Sequence, residues 1–293
     1  MNRETSSASS TQEAPARNTR KLLARGSLLA GLLLVGALLI TTVLSFLWTP
    51  YDPVLIDDTP RLLPPDGEHL FGTDAFGRDV FSRILHGSRT TLFVGVIAVG
   101  VAAGIGIPLG LTAAMSSRQW LDELVMRTSD VLLAFPALLL AIMSTAVFGA
   151  STGIAMVSIG IANVPAFARV ARSGALAVLA SDYVSAARVA GRSPLTIARY
   201  HVLPNIASLL IVQVSVSFAM AVLAEAALSY LGLGTPPPTP SWGRMLQESQ
   251  DFLSTEPLLA FFPGVAIAVA VLGFNLLGDG LRDLLDPRLE SRR

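Results

Sequence analysis

The chain has 293 residues, of which 52% are hydrophobic and only 14% are charged. Soluble domains carry about 25% charged residues, so this composition excludes a water-soluble globular protein. The formal net charge is zero and cysteine is absent, so the sequence predicts no nucleic-acid partner, no disulfide and no thiolate metal site. We predict an all-α, polytopic integral membrane protein that holds neither a metal nor a cofactor.

Residues 1–26 are rich in Ser, Thr, Ala, Asn and Arg and are predicted to form a disordered cytoplasmic tail. The uncharged stretch 27–48 comes next, and as a helix it would be about 33 Å long, enough to cross a bilayer. A signal peptide has a similar order of segments, but its apolar core is about 7 to 15 residues long. The longer stretch here predicts an uncleaved first transmembrane helix.

Residues 49–89 are predicted to form an external loop that contains an amphipathic helix. Phe76, Val80 and Ile84 recur every four residues, and charged side chains occupy the other faces of such a helix. This pattern is typical of a helix that lies on the outer membrane surface. Two roles stay open for it: a passive surface helix, or an element that gates a path or receives a substrate-binding protein.

Five further apolar helices are predicted to form a core at residues 90–284. The uncharged stretch 131–168 is too long for one crossing, and Gly149-Ala-Ser-Thr-Gly153 at its middle supplies a turn between two spans. Residues 285–293 are predicted to form a cytoplasmic tail. The six predicted spans are 27–48, 91–115, two within 131–168, 206–231 and 258–277.

The distribution of basic residues predicts the orientation of these spans. With the N-terminus inside the cell, 16 of the 21 Lys and Arg residues fall in cytoplasmic segments and 5 fall outside. Because cytoplasmic loops carry an excess of basic residues, we predict that both termini lie in the cytoplasm.

The loop at residues 169–204 is the longest predicted cytoplasmic loop, and its pattern indicates two short helices joined by a hinge. Ser181 is placed to cap the first helix, Gly191 to end it in a left-handed conformation, and Ser193 to cap the second. Pro204 is predicted to end the second helix. The local chemistry leaves two interpretations open, a knob that docks into a groove on another protein and an ordinary interfacial linker.

Two motifs in this loop resemble the EAA loop of ABC-importer permeases. They are Tyr183-Val-Ser-Ala-Ala187-Arg-Val-Ala-Gly191 and His201-Val-Leu203-Pro204-Asn205. Ser185 stands where that family usually has Glu, and His201 stands where its general pattern has Ile. In that family the loop forms coupling helices that dock onto ATP-hydrolysing subunits. The residues to which the resemblance assigns this role are Ser185, Ala186, Ala187, Gly191, His201, Leu203 and Pro204.

Further motifs over residues 69–289 resemble the second, C-type permease subunit of the dipeptide/oligopeptide/nickel family. The motifs are Phe71-Gly-Thr-Asp74 with Gly77-Arg-Asp-Val80, Ala134-Phe-Pro136, Leu228-Ser-Tyr-Leu-Gly-Leu-Gly234 and Phe274-Asn-Leu-Leu-Gly-Asp-Gly-Leu-Arg-Asp283. We assign an external gate, or the contact with a binding protein, to the first motif. The residues concerned are Asp74, Gly77, Arg78 and Asp79.

Charged residues near or within the spans are further candidates, because a charge that faces lipid is costly. Asp79 and Arg83 have the spacing of an i, i+4 pair, which contributes about 0.3 kcal/mol. Asp130 lies at the cytoplasmic entry of the third span and is predicted to be interfacial. Glu225 follows the uncharged run 200–224, and we assign it to the translocation path. The alternative for Glu225 is an interhelical hydrogen bond made as a protonated acid.

The resemblance implies the pore-forming permease subunit of an ATP-driven ABC importer in the inner membrane. Its implied partners are a homologous second permease, two ABC ATPase subunits and an external solute-binding protein. Di- or oligopeptides are the expected cargo, with nickel complexes or glutathione-like compounds as further candidates. Lys21 is the only lysine and no glycine-rich loop precedes it, so ATP hydrolysis is expected in separate subunits and the chain is not expected to be an enzyme.

Two rival classes of protein fit parts of the sequence. A proton-coupled secondary transporter also has few charges and one or two buried carboxylates, but it needs no helix–glycine–helix knob. An intramembrane aspartyl protease needs paired aspartates, which Tyr51-Asp52 and Gly278-Asp279 faintly resemble. Its Gly-x-Gly-Asp signature fails because residue 276 is Leu. The secondary transporter is therefore the alternative that we retain.

Overall fold

The computed structural model describes residues 15–56 and 59–285, and within these ranges every regular element is a helix. The predicted all-α class is therefore confirmed. The other parts of the two predicted tails, residues 1–14 and 286–293, lie outside the described residues. The helices are α1 (Pro15–Leu47), α2 (Val80–Met115), α3 (Gln119–Ala134), α4 (Ala137–Phe148), α5 (Thr152–Leu179), α6 (Asp182–Val189), α7 (Pro194–Ile197), α8 (Leu203–Tyr230), α9 (Trp242–Glu248) and α10 (Leu258–Leu285).

Among the described residues, five helical segments are long and apolar enough to cross a bilayer alone, and α3 with α4 makes a sixth if that bent pair counts as one span. This number agrees with the predicted polytopic fold. The end of the bundle that carries residues 59–79 and α9 is called the outer end below. The end that carries α6 and α7 is called the inner end. The orientation with both termini in the cytoplasm stays a prediction.

The first helix is longer than predicted. It begins at Pro15, so residues 15–26 of the predicted disordered tail are helical. The part that is apolar enough to cross a bilayer is Gly26–Leu47, which agrees with the predicted first span. Arg and Lys are good helix formers, so a run of basic residues before an apolar stretch does not by itself end a helix.

The predicted amphipathic helix in the external loop is wrong. Residues 59–79 form turns and bends, and α2 runs unbroken from Val80 to Met115, whereas the second span was predicted to begin at residue 91. Arg83 and Arg89 misled the prediction, because charged residues normally lie outside a span. Here both are bonded to partners from other segments of the chain.

The third predicted span is a broken helix. α3 and α4 meet at an angle of 82°, with Phe135 and Pro136 at the break. Phe135 has extended backbone angles, as a residue before proline prefers, and this ends α3. The predicted turn after α4 is confirmed, because Gly149 has a φ of 90° and α5 starts three residues later at Thr152.

Glycine allows the first and last helices to pack backbone against backbone. A Cβ on Gly31 of α1 would lie 2.4 Å from the backbone nitrogen of Leu277 in α10. A Cβ on Gly280 of α10 would lie 2.6 Å from the Cα of Leu28 in α1. Small residues bring helices this close in membrane proteins, where dispersion forces and not water exclusion drive association.

We expect Gly31→Ala to separate α1 from α10, because the added methyl group has no space and overpacking costs about 1–3 kcal/mol. Gly36→Ala is the matched control in the same helix, since a Cβ there meets nothing within 4 Å. Alanine is also the better helix former by about 1 kcal/mol. Thermal unfolding of the purified protein should therefore shift down for Gly31→Ala and stay level or rise for Gly36→Ala. Equal shifts would contradict the close contact.

Candidate functional sites

The hinge of the inner end has the geometry that the sequence predicts. Gly191 ends α6 with a φ of +73°, and its backbone N–H donates to the carbonyl of Arg188 at 3.0 Å. The Ser193 hydroxyl accepts a hydrogen bond from the backbone N–H of Thr196 and so caps α7. Ser181 does not cap α6, because its hydroxyl donates to the carbonyl of Val178 in α5 instead.

The predicted end of the second helix at Pro204 is wrong. α7 continues through a π-helical turn, Ala198–Val202, directly into α8, and Pro204 lies in the first turn of α8. A proline removes one N–H and crowds the carbonyl four residues earlier, and the wider π turn accommodates both effects. The Asn205 side-chain amide donates to the carbonyl of His201 at 2.6 Å. The coupling loop is thus joined to α8 by continuous helix.

The coupling loop, α6 to the π turn, is anchored on one side and exposed on the other. Val184 and Val202 are fully buried in a core cluster at the inner end. On the opposite side Val189 is 91% exposed and Leu195 is 78% exposed. The chain itself thus leaves two large apolar side chains of this loop uncovered.

The predicted coupling residues lie in α6, at the hinge, in the π turn and in the first turn of α8, and their exposure differs. Ser185 is exposed, and its hydroxyl faces the carbonyl of Ser181 at 3.4 Å. The His201 ring lies 6.1 Å from the ring of Tyr183, between centroids. The exposed members are Ser185, Ala186, Gly191 and Pro204, and the half-buried members are Ala187, His201 and Leu203. Sequence reasoning did not single out Val189, which lies inside the quoted motif, or Leu195, because only the structure shows that both are exposed.

At the outer end, a buried ion cluster joins three segments of the chain. Asp74 accepts from Arg78 Nε at 2.8 Å and from Arg83. Glu248, at the end of α9, accepts from Arg78 and from Arg83 at 2.9 Å each, and from Arg244 Nε at 3.1 Å. Each carboxylate thus bridges the two guanidinium groups, as charge-assisted hydrogen bonds favour.

The charged residues at the outer end are almost fully buried, yet they stay ionised. Arg83 is 2% exposed, and Asp74 and Arg78 are each 7% exposed. Burial raises the pKa of the Glu248 carboxyl, but the guanidinium groups of Arg83 and Arg78 outweigh burial, so its pKa lies below the ordinary value of 4.5. The carboxylate therefore stays ionised and paired at neutral pH.

The predicted pair between Asp79 and Arg83 does not form. The Asp79 carboxylate caps α2 by accepting from the backbone N–H of Ser82 at 2.7 Å, and it also contacts the His69 ring at 2.9 Å. Asp79 is 3% exposed and Gly77 is buried. In this conformation none of the four residues assigned to an external gate or binding-protein contact offers a free surface. Their observed contacts hold residues 59–79 against α2 and α9.

α9 packs between α2 and α8. Trp242 Nε1 donates to the carbonyl of Ile84 in α2 at 3.0 Å. On the other side a Cβ on Gly243 would lie 2.3 Å from the carbonyl oxygen of Ala226 in α8. Sequence reasoning missed Trp242 and Glu248, because their partners in α2 and the outer loop lie 158 and 170 residues away and no local pattern marks them.

Glu225 lies inside the chain and does not line an open path in this conformation. The residue is 1% exposed, and its Oε1 accepts from the Ser229 hydroxyl at 2.6 Å and the Thr235 hydroxyl at 3.3 Å. Ser229 also accepts from the backbone N–H of Thr235. Its observed contacts lie within α8 and the loop that follows, and the assignment of Glu225 to the translocation path stays a prediction. The contact ties the end of α8 to the loop that follows.

Comparison with known proteins gives consistent matches over most of the chain. Residues 106–291 match the family described as "Binding-protein-dependent transport system inner membrane component". The chain is 41% identical to the dipeptide transport system permease protein DppC of Alkalihalophilus pseudofirmus, over 96% of this chain and 92% of that protein. It is 44% identical to the glutathione transport system permease protein GsiD of Pectobacterium atrosepticum, over 83% and 80%.

A solved structure has the same fold over much of its length. It shows inward-facing conformations of the MetNI methionine ABC transporter, and one of its chains matches with a TM-score of 0.58 and 17% sequence identity. The match covers 67% of this chain and 93% of that chain. The resemblance drawn from the sequence motifs is confirmed by the family and its relatives.

We expect Glu248→Ala to destabilise the outer end, because two buried guanidinium groups would lose a shared partner. Removal of one member of a buried ion pair costs about 3 kcal/mol or more. Glu68→Ala is the control, since that residue is an exposed glutamate in the same outer segment. Thermal unfolding with tryptophan fluorescence should show a clear loss for the first variant alone. Matching curves would contradict a structural ion cluster.

We expect Glu225→Gln to retain most of the stability of the native protein, because a glutamine carbonyl still accepts from Ser229 and Thr235. Glu225→Leu has a similar size but no acceptor, and each buried hydroxyl whose O–H group loses its acceptor costs about 1–3 kcal/mol. Thermal unfolding should rank the leucine variant well below the glutamine variant. If the two variants unfold alike, the hydrogen bonds of Glu225 do not hold the end of α8.

Proposed function

This chain belongs to the family of binding-protein-dependent transport system inner membrane components, and we propose that it forms one half of the pore of an ABC importer. It is a multi-pass protein of the inner membrane. Family membership favours an importer permease over a proton-coupled secondary transporter, which was the alternative from the sequence. Transport permeases are not enzymes themselves, and the single lysine, outside any glycine-rich loop, agrees with ATP hydrolysis elsewhere.

The partners that we propose are those of a complete importer. The family implies ATPase and binding-protein partners in general. The specific assembly proposed is one homologous permease, two ABC ATPase subunits and one external solute-binding protein. In this assembly the inner end faces the cytoplasm, in the orientation that the basic residues predict.

Peptides are the proposed cargo. This proposal is supported by the relatives, whose names assign them to dipeptide and glutathione transport, and glutathione is itself a small peptide. Nickel complexes and other small solutes remain secondary candidates from the sequence resemblance. The chain would form part of the path for such a solute, and the ATPase subunits would supply the energy for transport.

The observation that carries the proposed mechanism is the continuous helix between the coupling loop and α8. The exposed apolar residues Val189 and Leu195 offer the contact for an ATPase subunit. Leu195 lies on α7, which the π turn joins to α8 without a break, whereas Val189 lies on α6, on the other side of the Gly191 hinge. α8 then extends to Glu225 and the outer end. When the ATPase moves this loop, α8 would therefore move with it as one rigid helix. This movement would change access to the pore.

We expect Gly191→Val to uncouple ATP hydrolysis from transport. A residue with a Cβ is strained at a φ of +73° by about 1–2 kcal/mol, and a β-branched residue is the least tolerant of it. Relief of this strain would swing α7 away from α6. Open space surrounds the Gly191 Cβ position, so the effect would come from the backbone alone.

The matched control is Gly191→Asn, because asparagine tolerates the left-handed conformation. Both variants are assembled with their partner subunits in proteoliposomes, and ATP hydrolysis and dipeptide uptake are measured together. The valine variant should hydrolyse ATP with little uptake, and the asparagine variant should keep the ratio of the native protein. Normal coupling in Gly191→Val would refute the hinge as the coupling element.

A further inference from the structure

The coupling loop carries an excess of positive charge at the inner end. Its charged side chains are those of one aspartate, Asp182, and three arginines, and all four residues are exposed. We call the three the loop arginines; they are Arg188 of α6, Arg192 after the hinge and Arg199 of the π turn. The whole chain has a formal net charge of zero, so this excess is a local property of the loop.

The loop arginines form no ion pair with any residue that the structure describes. Elsewhere at the inner end, Arg127, Arg169 and Arg172 each pair with a carboxylate of α3. The guanidinium carbon of Arg199 lies 5.6 Å from the centroid of the Tyr200 ring, which is an aromatic contact and not an ion pair. The fold thus leaves these three positive charges without a neutralising contact.

The backbone that carries the loop arginines is held in place by hydrogen bonds. The N–H of Gly191 donates to the carbonyl of Arg188 at 3.0 Å, and the N–H of Arg192 donates to the carbonyl of Ala187 at 3.1 Å. These bonds fix the backbone on both sides of the hinge. Arg199 follows in the π turn, which is continuous with α8. A partner therefore meets a preorganised loop, which lowers the entropy cost of binding.

The exposed apolar side chains of the loop lie next to the loop arginines in the sequence. Val189 directly follows Arg188, and Leu195 lies three residues after Arg192. An ATPase subunit that covers the two apolar side chains must therefore also cover the arginines beside them. A guanidinium group that loses water without gaining an acceptor is costly. Neutral acceptors leave its charge uncompensated, whereas carboxylates form hydrogen bonds about twice as strong.

We propose that the coupling loop selects an ATPase subunit whose docking groove presents carboxylates to the loop arginines. This proposal rests on the proposed function, which makes an ATPase subunit the partner of the loop. Ser185 supports it, because this exposed residue stands where related loops carry Glu and so leaves Asp182 as the single carboxylate of the loop. Opposite charges speed the encounter of the two proteins, and a basic groove is rejected by repulsion.

A carboxylate in the groove is detected directly by cross-linking, because Lys21 is the only lysine of the chain. Replacement of each loop arginine in turn by lysine (Arg188→Lys, Arg192→Lys, Arg199→Lys) keeps the charge and adds an amine. A water-soluble carbodiimide then joins this amine to a carboxylate that is in contact with it. Each variant is assembled with its partner permease and ATPase subunits before treatment. We expect cross-links to an ATPase subunit, identified by mass spectrometry of the digested complex.

The matched control for cross-linking is Arg118→Lys. Arg118 is also exposed at the inner end, but it precedes α3 and lies outside the coupling loop. This variant should form no link to an ATPase subunit. The acidic groove is overturned if none of the three loop positions cross-links to an ATPase subunit, or if Arg118→Lys does so with equal yield.

The role of charge is tested by the affinity for the ATPase subunits, measured with both permeases in nanodiscs of phosphatidylcholine, a lipid without net charge. Arg192→Glu should weaken binding severalfold at about 0.1 M salt, where the Debye length is about 10 Å. The loss should shrink at about 1 M salt, where the Debye length is about 3 Å. Arg118→Glu should bind like the native chain at both salt concentrations. A loss for Arg192→Glu that is equal in both salts would contradict an electrostatic contact.

Ser185→Glu gives an independent test, because it adds a carboxylate to an exposed position without removing an arginine. The new side chain lies three residues before Arg188 on α6, where it can pair with that arginine. We expect it to weaken binding of the ATPase subunits at about 0.1 M salt. Tighter binding would show that the groove is basic at this point and would overturn the proposal.

Anionic lipid head groups are the other class of partner for exposed arginines. If the loop arginines bind lipid, Arg192→Glu would have no effect in phosphatidylcholine and would weaken ATPase binding only in nanodiscs of phosphatidylglycerol. That result would overturn the acidic groove. A native permease pair that binds no ATPase subunit in either lipid would instead count against the proposed importer function itself.

Discussion

A charge that faces hydrocarbon is costly, and the described part of the chain is arranged so that its charges meet each other, a hydroxyl or water. At the outer end Arg83 lies almost fully buried, between Asp74 and Glu248. Such pairs add little net stability over an apolar core, but the loss of one partner is expensive. Their effect here is to join the outer loop, α2 and α9, because each carboxylate bridges guanidinium groups from different segments.

Local signals in the sequence were enough for the number of spans and for the hinge, but not for the starts of α1 and α2. Apolar length alone predicts the spans, and the glycines at 149 and 191 mark turns because both adopt positive φ. The break at Pro136 was also within reach, since a residue before proline avoids the helical region and Phe135 does so. The continuation past Pro204 was not, because a π turn has no sequence rule that distinguishes it from a helix end.

The contents of the sites could not be predicted, because they depend on residues far apart in the chain. Glu248 and Arg78 are separated by 170 positions, and nothing near either residue indicates the other. The same holds for exposure: the motif around Asp74 and Asp79 suggested an external surface, and the fold buries it. Glu225 was correctly marked as unusual, but only the hydroxyls of Ser229 and Thr235 show that it is held inside.

The close backbone contact between α1 and α10 constrains the order in which the helices can assemble in the membrane. The two helices touch through Gly31 and Gly280, yet more than 200 residues separate their contact points in the chain. During synthesis α1 is made well before α10, so it lacks this contact until α10 has also entered the bilayer. The newly inserted helix must therefore persist as an isolated span, which a continuous apolar segment of 22 residues allows. A ribosome that stops before α10 therefore leaves α1 without this contact.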